Sequence, residues 1–303
     1  MNALSVVAAP GAEAAAQRIA DHLGVERCAL ECRRFPDGET YLRLARDVAG
    51  SDVVVVAQLR DPDPQLPGLL FLADALHDIG ARRVLLAAPY LPYMRQDTRF
   101  RAGEAVTSRS LAKWLSSAFD ALVTIDPHLH RHAALDALYT IATQTVASAP
   151  AIARWLPSAV EFPYLVGPDA ESRQWVATVA DLAGCPYTVL AKQRLGDRAV
   201  VLSAPDAQAL RGHTPVLVDD IVASGRTMAA AVRACRVAGA AAPVCVGVHA
   251  VFAGDAAALL EGAGAARVLT CNTLAHPTNT IDVLEALADA AARMLASPAL
   301  APG

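Results

Sequence analysis

The sequence predicts a two-domain α/β protein with mostly parallel sheets. Short β-branched runs alternate with Ala/Leu/Arg stretches of helical period, the pattern of parallel strands joined by helices. Some runs, Val53–Val56 among them, are apolar throughout, as strands buried on both faces are. The 303 residues also exceed the roughly 100–200 of one ordinary domain. A boundary is expected near Thr145–Pro150, with no Gly- or Ser-rich linker marking it.

Taken in order, strands are expected at Leu4–Ala9, Val53–Ala57, Arg83–Ala88, Ala121–Asp126 and Tyr164–Gly167. Tyr187–Ala191, Pro215–Asp219, Val244–Val251 and Arg267–Cys271 complete them. Helices are expected near Glu13–Leu23, Leu66–Ile79, Ser108–Phe119, Glu171–Ala183, Thr227–Ala238 and Asp255–Glu261. A last helix, Val283–Leu295, follows the turn Pro277-Thr278-Asn279. Between Arg27 and Leu44 the pattern changes. Two short strands flank Pro36-Asp37-Gly38, and Asp-Gly is a strong hairpin signal. No repeat is visible by direct identity.

Composition narrows the possible functions. Ala is roughly a fifth of the chain, so the 54% hydrophobic content overstates the core formers. With 18% charged residues and a net charge of −4, no field steers the chain to nucleic acid or anionic lipid. Six cysteines lie scattered without CxxC pairing, which argues against a disulfide framework or zinc knuckle. The longest apolar stretch, Val244–Ala253, is too short for a span of about 20 residues and contains His249. The N-terminus lacks a basic region before its apolar residues. The expectation is a cytoplasmic protein, with no nucleic-acid or membrane partner.

The strongest chemical signal is Val216-Leu217-Val218-Asp219-Asp220-Ile221-Val222-Ala223-Ser224-Gly225-Arg226-Thr227. An apolar strand ends in two acids, and a short loop with hydroxyls and a glycine opens a helix. Backbone N–H groups with the Ser224 and Thr227 hydroxyls can cradle a phosphate at the positive helix end. Asp219 and Asp220 can accept hydrogen bonds from vicinal sugar hydroxyls. Together they specify a ribose 5-phosphate shape at both ends. Without Gly-Lys-[Ser/Thr], it is not a Walker A loop.

Other candidates admit two readings on their own. Arg95, Gln96 and Asp97 follow a strand, where open α/β sheets bind ligands, and Arg99 and Arg101 add charge. A solvated basic loop is the alternative. His128, His130 and His132 alternate as zinc ligands on a strand would, or as core and surface histidines. Asp169 ends an apolar strand as a carboxylate for a hard cation, and equally as a helix N-cap. Lys192 and Arg194, two apart on an extended segment, share a face and can reach one phosphate chain, or form a charged hairpin tip.

The Asp219 element resembles the phosphoribosyl diphosphate motif of type I phosphoribosyltransferases and of ribose-phosphate diphosphokinases. Further segments resemble the diphosphokinases, especially their shorter archaeal-like forms: Arg34-Phe35-Pro36-Asp37-Gly38-Glu39, Pro92-Tyr93-Met94-Arg95-Gln96-Asp97 and Asp126-Pro127-His128-Leu129-His130. Gly167-Pro168-Asp169-Ala170-Glu171-Ser172 and Lys192-Gln193-Arg194-Leu195-Gly196-Asp197-Arg198 follow in the family's order, and Asn279-Thr280-Ile281-Asp282 closes the series.

The resemblance implies two type I phosphoribosyltransferase-like domains: an N-terminal ATP-side domain (1–145 with 281–303) and a ribose-5-phosphate-binding domain (146–280). It implies transfer of a diphosphoryl group from Mg²⁺-bound ATP to ribose 5-phosphate. Asp37, Gly38, Glu39, Arg95, Gln96 and Asp97 would bind ATP, and His128 and Asp169 would hold Mg²⁺. Lys192 and Arg194 would be catalytic. Arg194, Asp219, Asp220, Ala223, Ser224, Gly225, Arg226 and Thr227 would bind ribose 5-phosphate. The hairpin would serve a neighbouring subunit, so a homodimer or larger homo-oligomer is expected. Ala223 replaces an acid, Arg226 a glycine, and Ala170-Glu171 a small Gly-rich sequence of the commoner pattern. The alternatives are a non-catalytic regulatory homologue and a phosphoribosyltransferase consuming phosphoribosyl diphosphate.

Overall fold

The computed structural model describes residues 3–297 except 130, 196–198 and 204, and for 192–195 and 199–202 the backbone alone. The chain divides into two compact units, Met1–Val146 with Leu284–Gly303, and Ala147–Val283. Unit 1 begins with β1 (Leu4–Ala8), α1 (Glu13–Leu23), β2 (Arg27–Cys28), β3 (Leu30–Arg34) and β4 (Thr40–Leu44). It continues through β5 (Asp52–Val56), α2 (Pro62–Asp78), β6 (Arg83–Ala88), α3 (Thr107–Ala118), β7 (Ala121–Ile125) and β8 (Ala142–Val146). Unit 2 holds α4 (Ala149–Ala159), β9 (Pro163–Gly167), α5 (Arg173–Ala183), β10 (Tyr187–Val189), β11 (Lys192–Leu195) and β12 (Ala199–Leu202). Then come β13 (Thr214–Ile221), α6 (Arg226–Val237), β14 (Val244–His249), α7 (Ala256–Gly262), β15 (Arg267–Cys271) and β16 (Asn279–Ile281). The last helix, α8 (Leu284–Ala296), belongs to unit 1.

Each unit is built on a six-stranded parallel sheet, ordered β2-β1-β5-β6-β7-β8 in one and β10-β9-β13-β14-β15-β16 in the other. Set the antiparallel hairpins β3–β4 and β11–β12 aside, and both orders read second-first-third-fourth-fifth-sixth. Each hairpin is inserted at the same place, between the second and third strands of its sheet. The chain therefore repeats a topology that residue identity does not reveal.

The apolar patterns account for the layers. On one face of the first sheet, Leu66, Leu69, Leu72 and Leu76 of α2 and Leu111 and Leu115 of α3 meet Val53, Val55, Val84 and Leu86. α1 and α8 pack together, α8 burying Leu287, Ala291 and Met294. Arg83 of β6 is 5% exposed, hydrogen-bonds Asp52 and also donates to the Leu295 carbonyl. In unit 2, Met228, Val232 and Cys235 of α6 and Leu260 of α7 pack with Val166, Leu217 and Cys245.

Several expectations need correction. α2 starts at Pro62 rather than Leu66, because prolines are tolerated in a helix's first turn. β13 runs through both acids to Ile221, held by the Ile221↔His249 pairing. The strands β8 and β16 and helix α4 have no counterpart among the expected elements, and the extended segment of residues 192 and 194 is one strand of the ribbon β11–β12. β7 ends at Ile125, so His128 and His132 lie in an irregular segment and not on a strand; His130 is outside the described residues. No helix among the described residues is long and apolar enough to cross a membrane.

Candidate active site

In a sheet of this order, the connections leave the first and third strands toward opposite faces, and ligands bind beyond the carboxyl ends at that switch point. In unit 2 the switch lies between β9 and β13. The candidate residues sit there. β9 ends at Gly167, just before Asp169, and β13 carries Asp219 and Asp220 near its carboxyl end.

The backbone shapes these acids. Asp169, 8% exposed, accepts from the Glu171 N–H at 3.0 Å, while Ser172 Oγ donates to the Asp169 carbonyl at 2.7 Å. Asp169 is thus an N-cap, as one of its two sequence readings held. Asp220 N–H donates to Asp219 Oδ1 at 3.1 Å and Ile221 N–H to Asp220 Oδ1 at 2.8 Å. Burial pushes the Asp219 pKa well above the ordinary carboxylate value, and the negative charges of Asp220, Asp169 and Glu171 push it further. An acidic group held together against its own repulsion suits a cation or a sugar's hydroxyl donors.

The loop after the acids is seated from below. Gly247 of β14 pairs with Asp219, and a Cβ there would lie 2.4 Å from Val222 Cγ2. Only glycine lets Val222 pack so near the strand. Gly225, at φ 69°, turns the chain into α6. No side chain caps that helix, whose first N–H groups follow exposed Ser224. Uncapped N–H groups at a helix start favour a phosphate. Arg226 is exposed and Thr227 half-buried, both in the first turn.

The lysine–arginine segment emerges beside the same acids. Leu190 N–H donates to the Gly167 carbonyl at 2.9 Å, two residues before Asp169. Ala191 and Ser203 then exchange two hydrogen bonds, of 2.9 and 2.7 Å, at the base of the ribbon β11–β12. Residues 192 and 194 lie on β11, opposite 202 and 200. Their side chains, and residues 196–198 of the motif, are outside the described part.

In unit 1 the nucleotide candidates occupy loops after β6 and β7. Buried Met94 anchors the first loop, and Arg95 beside it is exposed. The Gln96 carbonyl accepts from Ser108 Oγ at 3.2 Å. Asp97, 6% exposed, accepts from Arg131 Nη1 at 2.7 Å, and Arg131 also lies over the Phe100 ring. Arg131 joins the loop of Arg95 to that of His128. No periodicity or motif in the sequence singled it out. Tyr93, Asp126 and His128 have φ of 63°, 34° and 38°, left-handed conformations that cost energy in non-glycine residues and cluster at functional sites. Asp37, Gly38 and Glu39 lie at the tip of β3–β4, where Glu39 N–H donates to Asp37 Oδ1 at 3.1 Å. Gly38 accepts at its carbonyl from Arg34.

Comparisons with known proteins agree across both units. Residues 4–118 match the family described as the N-terminal domain of ribose phosphate pyrophosphokinase, and residues 139–285 match the phosphoribosyl transferase domain. A ribose-phosphate pyrophosphokinase of Methanopyrus kandleri is 33% identical over 276 residues, covering 90% of this chain and 94% of the relative. The chain belongs to the ribose-phosphate pyrophosphokinase family. The protein of that name from Methanosarcina acetivorans is 32% identical over 291 residues, 96% of this chain and 100% of the relative. The crystal structure of phosphoribosylpyrophosphate synthetase from Mycobacterium smegmatis superposes with a TM-score of 0.85 at 26% identity, covering 97% of this chain and 99% of that one.

Membership in the ribose-phosphate pyrophosphokinase family upholds the enzyme reading, a transferase. The resemblance to archaeal members holds at about 30% identity. The two-unit parallel α/β architecture holds as well.

Proposed function

We propose that this chain transfers the diphosphoryl group of ATP to the anomeric hydroxyl of ribose 5-phosphate, giving phosphoribosyl diphosphate and AMP. The observation carrying the proposal is the unit 2 switch point, where carboxylates from two strand ends gather and β13 leads through a short loop into an uncapped helix start. The anomeric oxygen bonds to the β-phosphorus as the bond from that phosphorus to the α–β bridging oxygen breaks. AMP leaves with that oxygen, and the hydroxyl proton passes to solvent. Such a transfer needs positioning and charge neutralisation rather than a covalent intermediate.

In this reading Asp219 and Asp220 hold the ribose hydroxyls, and residues Ala223 to Thr227 hold the 5-phosphate. Arg95, Gln96, Asp97, Asp37, Gly38 and Glu39 hold ATP, and Lys192 and Arg194 neutralise the moving diphosphoryl group. Among the described residues no three His, Cys, Asp or Glu side chains gather into a metal cage. Mg²⁺ is commonly held by one or two carboxylates together with substrate phosphates. We assign Asp169 and His128 to it. When bound it supplies charge neutralisation on the phosphates. Six free thiols accord with a cytosolic setting.

Purified protein with ribose 5-phosphate, ATP and Mg²⁺ should yield AMP, and excess chelator should abolish the turnover. Release of ADP would instead mean single-phosphoryl transfer. Failure to turn over ATP under any condition would favour the regulatory homologue.

We further propose that the β3–β4 hairpin serves a second subunit. Its five-residue tip carries Phe35, 39% exposed, stacked edge-on with Tyr41 and covered by the Arg33 guanidinium. Among the described residues the hairpin pairs with no other strand, so its tip is built independently of the main sheet. Activity should therefore require at least a dimer. Light scattering at assay concentration checks this, and a fully active monomer would refute it.

A further inference from the structure

The loop assigned to the 5-phosphate takes its shape from a second segment, residues 249–253. The His249 carbonyl accepts from Val222 N–H at 3.1 Å; Phe252 N–H donates to the Val222 carbonyl at 2.8 Å, and Ala253 N–H to the Ala223 carbonyl at 3.0 Å. Whatever fixes the end of β14 therefore fixes the start of the loop. Its side chain is a histidine, 1% exposed, closing an otherwise apolar strand. His249 Nδ1 lies 3.0 Å from Thr273 Oγ1, and that hydroxyl donates to the Val248 carbonyl at 2.9 Å. With its hydrogen committed to the carbonyl, Thr273 Oγ1 accepts, so the imidazole carries its proton on Nδ1. The next turn is strained. Phe252 adopts φ 36° and its ring stacks on His276 at 4.4 Å, with 10° between planes. Nothing in the proposed chemistry uses these residues.

We propose that His249 is a positioning residue for ribose 5-phosphate, acting through Thr273 and the backbone of Val222 and Ala223. The inference rests on the assignment of Ala223–Thr227 to the 5-phosphate. A side chain locked by a buried hydrogen bond holds a neighbouring loop within the narrow tolerance a binding site needs. Loss of the Nδ1 donor removes this buried hydrogen bond and lets the end of β14 shift, carrying the loop with it.

The test is a KM comparison in the full-length enzyme. His249→Ala and the near-isosteric Thr273→Val should each raise the KM for ribose 5-phosphate about tenfold, the size of one buried hydrogen bond, with the KM for ATP within about twofold. His249→Asn presents an amide N–H at the Nδ1 position and should recover most of the loss. His249→Gln presents it one bond too far and should not. Equal rises in both KM values, or an Asn variant no better than Ala, would overturn the inference. Thr227→Ala serves as the control for the loop. If it leaves the ribose 5-phosphate KM unchanged, the loop assignment falls and the inference with it; if it raises that KM while the His249 variants behave as wild type, the inference alone falls.

Discussion

Lys192→Ala is expected to lower kcat by at least about a hundredfold, with the KM for ATP within a few-fold. The residue opens β11, which among the described residues pairs only with β12. Among the described residues no ladder ties this ribbon to the main sheet, whereas its base is tied through Leu190 to Gly167, two residues before Asp169. A cationic segment so placed can meet the β-phosphate late, once both substrates are present. Groups that act mainly in the transition state lower kcat when removed and leave ground-state binding little changed. Arg194→Ala should behave alike, and the double variant should lose less than the product of the two because both serve one event. Steady-state kinetics decides it. A near-normal kcat for Lys192→Ala would make the ribbon a solvated hairpin.

Replacing both Asp219 and Asp220 with Ala should raise the KM for ribose 5-phosphate by roughly a hundredfold or more, two charged hydrogen bonds at about 1.5–3 kcal/mol each. An unchanged KM would place the sugar elsewhere. Asp219 adds a second readout. Burial and the neighbouring carboxylates raise its pKa in the fold above the unfolded value. A group shifted in that sense contributes stability below its unfolded pKa and loses it as pH rises through the folded one. The ionised carboxylate is therefore a liability near neutrality. Asp219→Asn should stabilise the ligand-free protein at pH 7, by about 0.5–2 kcal/mol, with the gain vanishing near pH 3. Melting curves of both proteins across that range test it, and an Asn variant that melts no higher at pH 7 would contradict the stated electrostatics. The same substitution should weaken sugar binding, the usual exchange of stability against function.

The long apolar strands were legible because both faces are buried: β5, β6 and β7 read as unbroken runs and lie where those runs stand. Two of the edge strands were not. β8 is Ala-Thr-Gln-Thr-Val with no fully buried residue, and β16 is three residues long, so neither carries a core signal. Pro150 and Pro157 concealed α4, although one sits in its first turn and the other near its end. At the candidate site, Asp219 to Thr227 were legible as one contiguous strand–loop–helix motif. Arg131 and the His249–Thr273 pair were not, since their partners are 34 and 24 residues away and only folding brings them together.

The return of α8 to the first unit has a consequence for the order of synthesis. Unit 2 occupies residues 147 to 283 as one uninterrupted stretch, while the first unit needs residues from both sides of it. On a ribosome adding about 5–20 residues per second, β1 to β8 must wait roughly seven to thirty seconds for the helix that packs on α1. During that interval α1 lacks the helix that later packs on it, and Arg83 lacks the Leu295 carbonyl. Unit 2 emerges complete while its elder neighbour is unfinished. The half of the chain born first is thus the half that matures last.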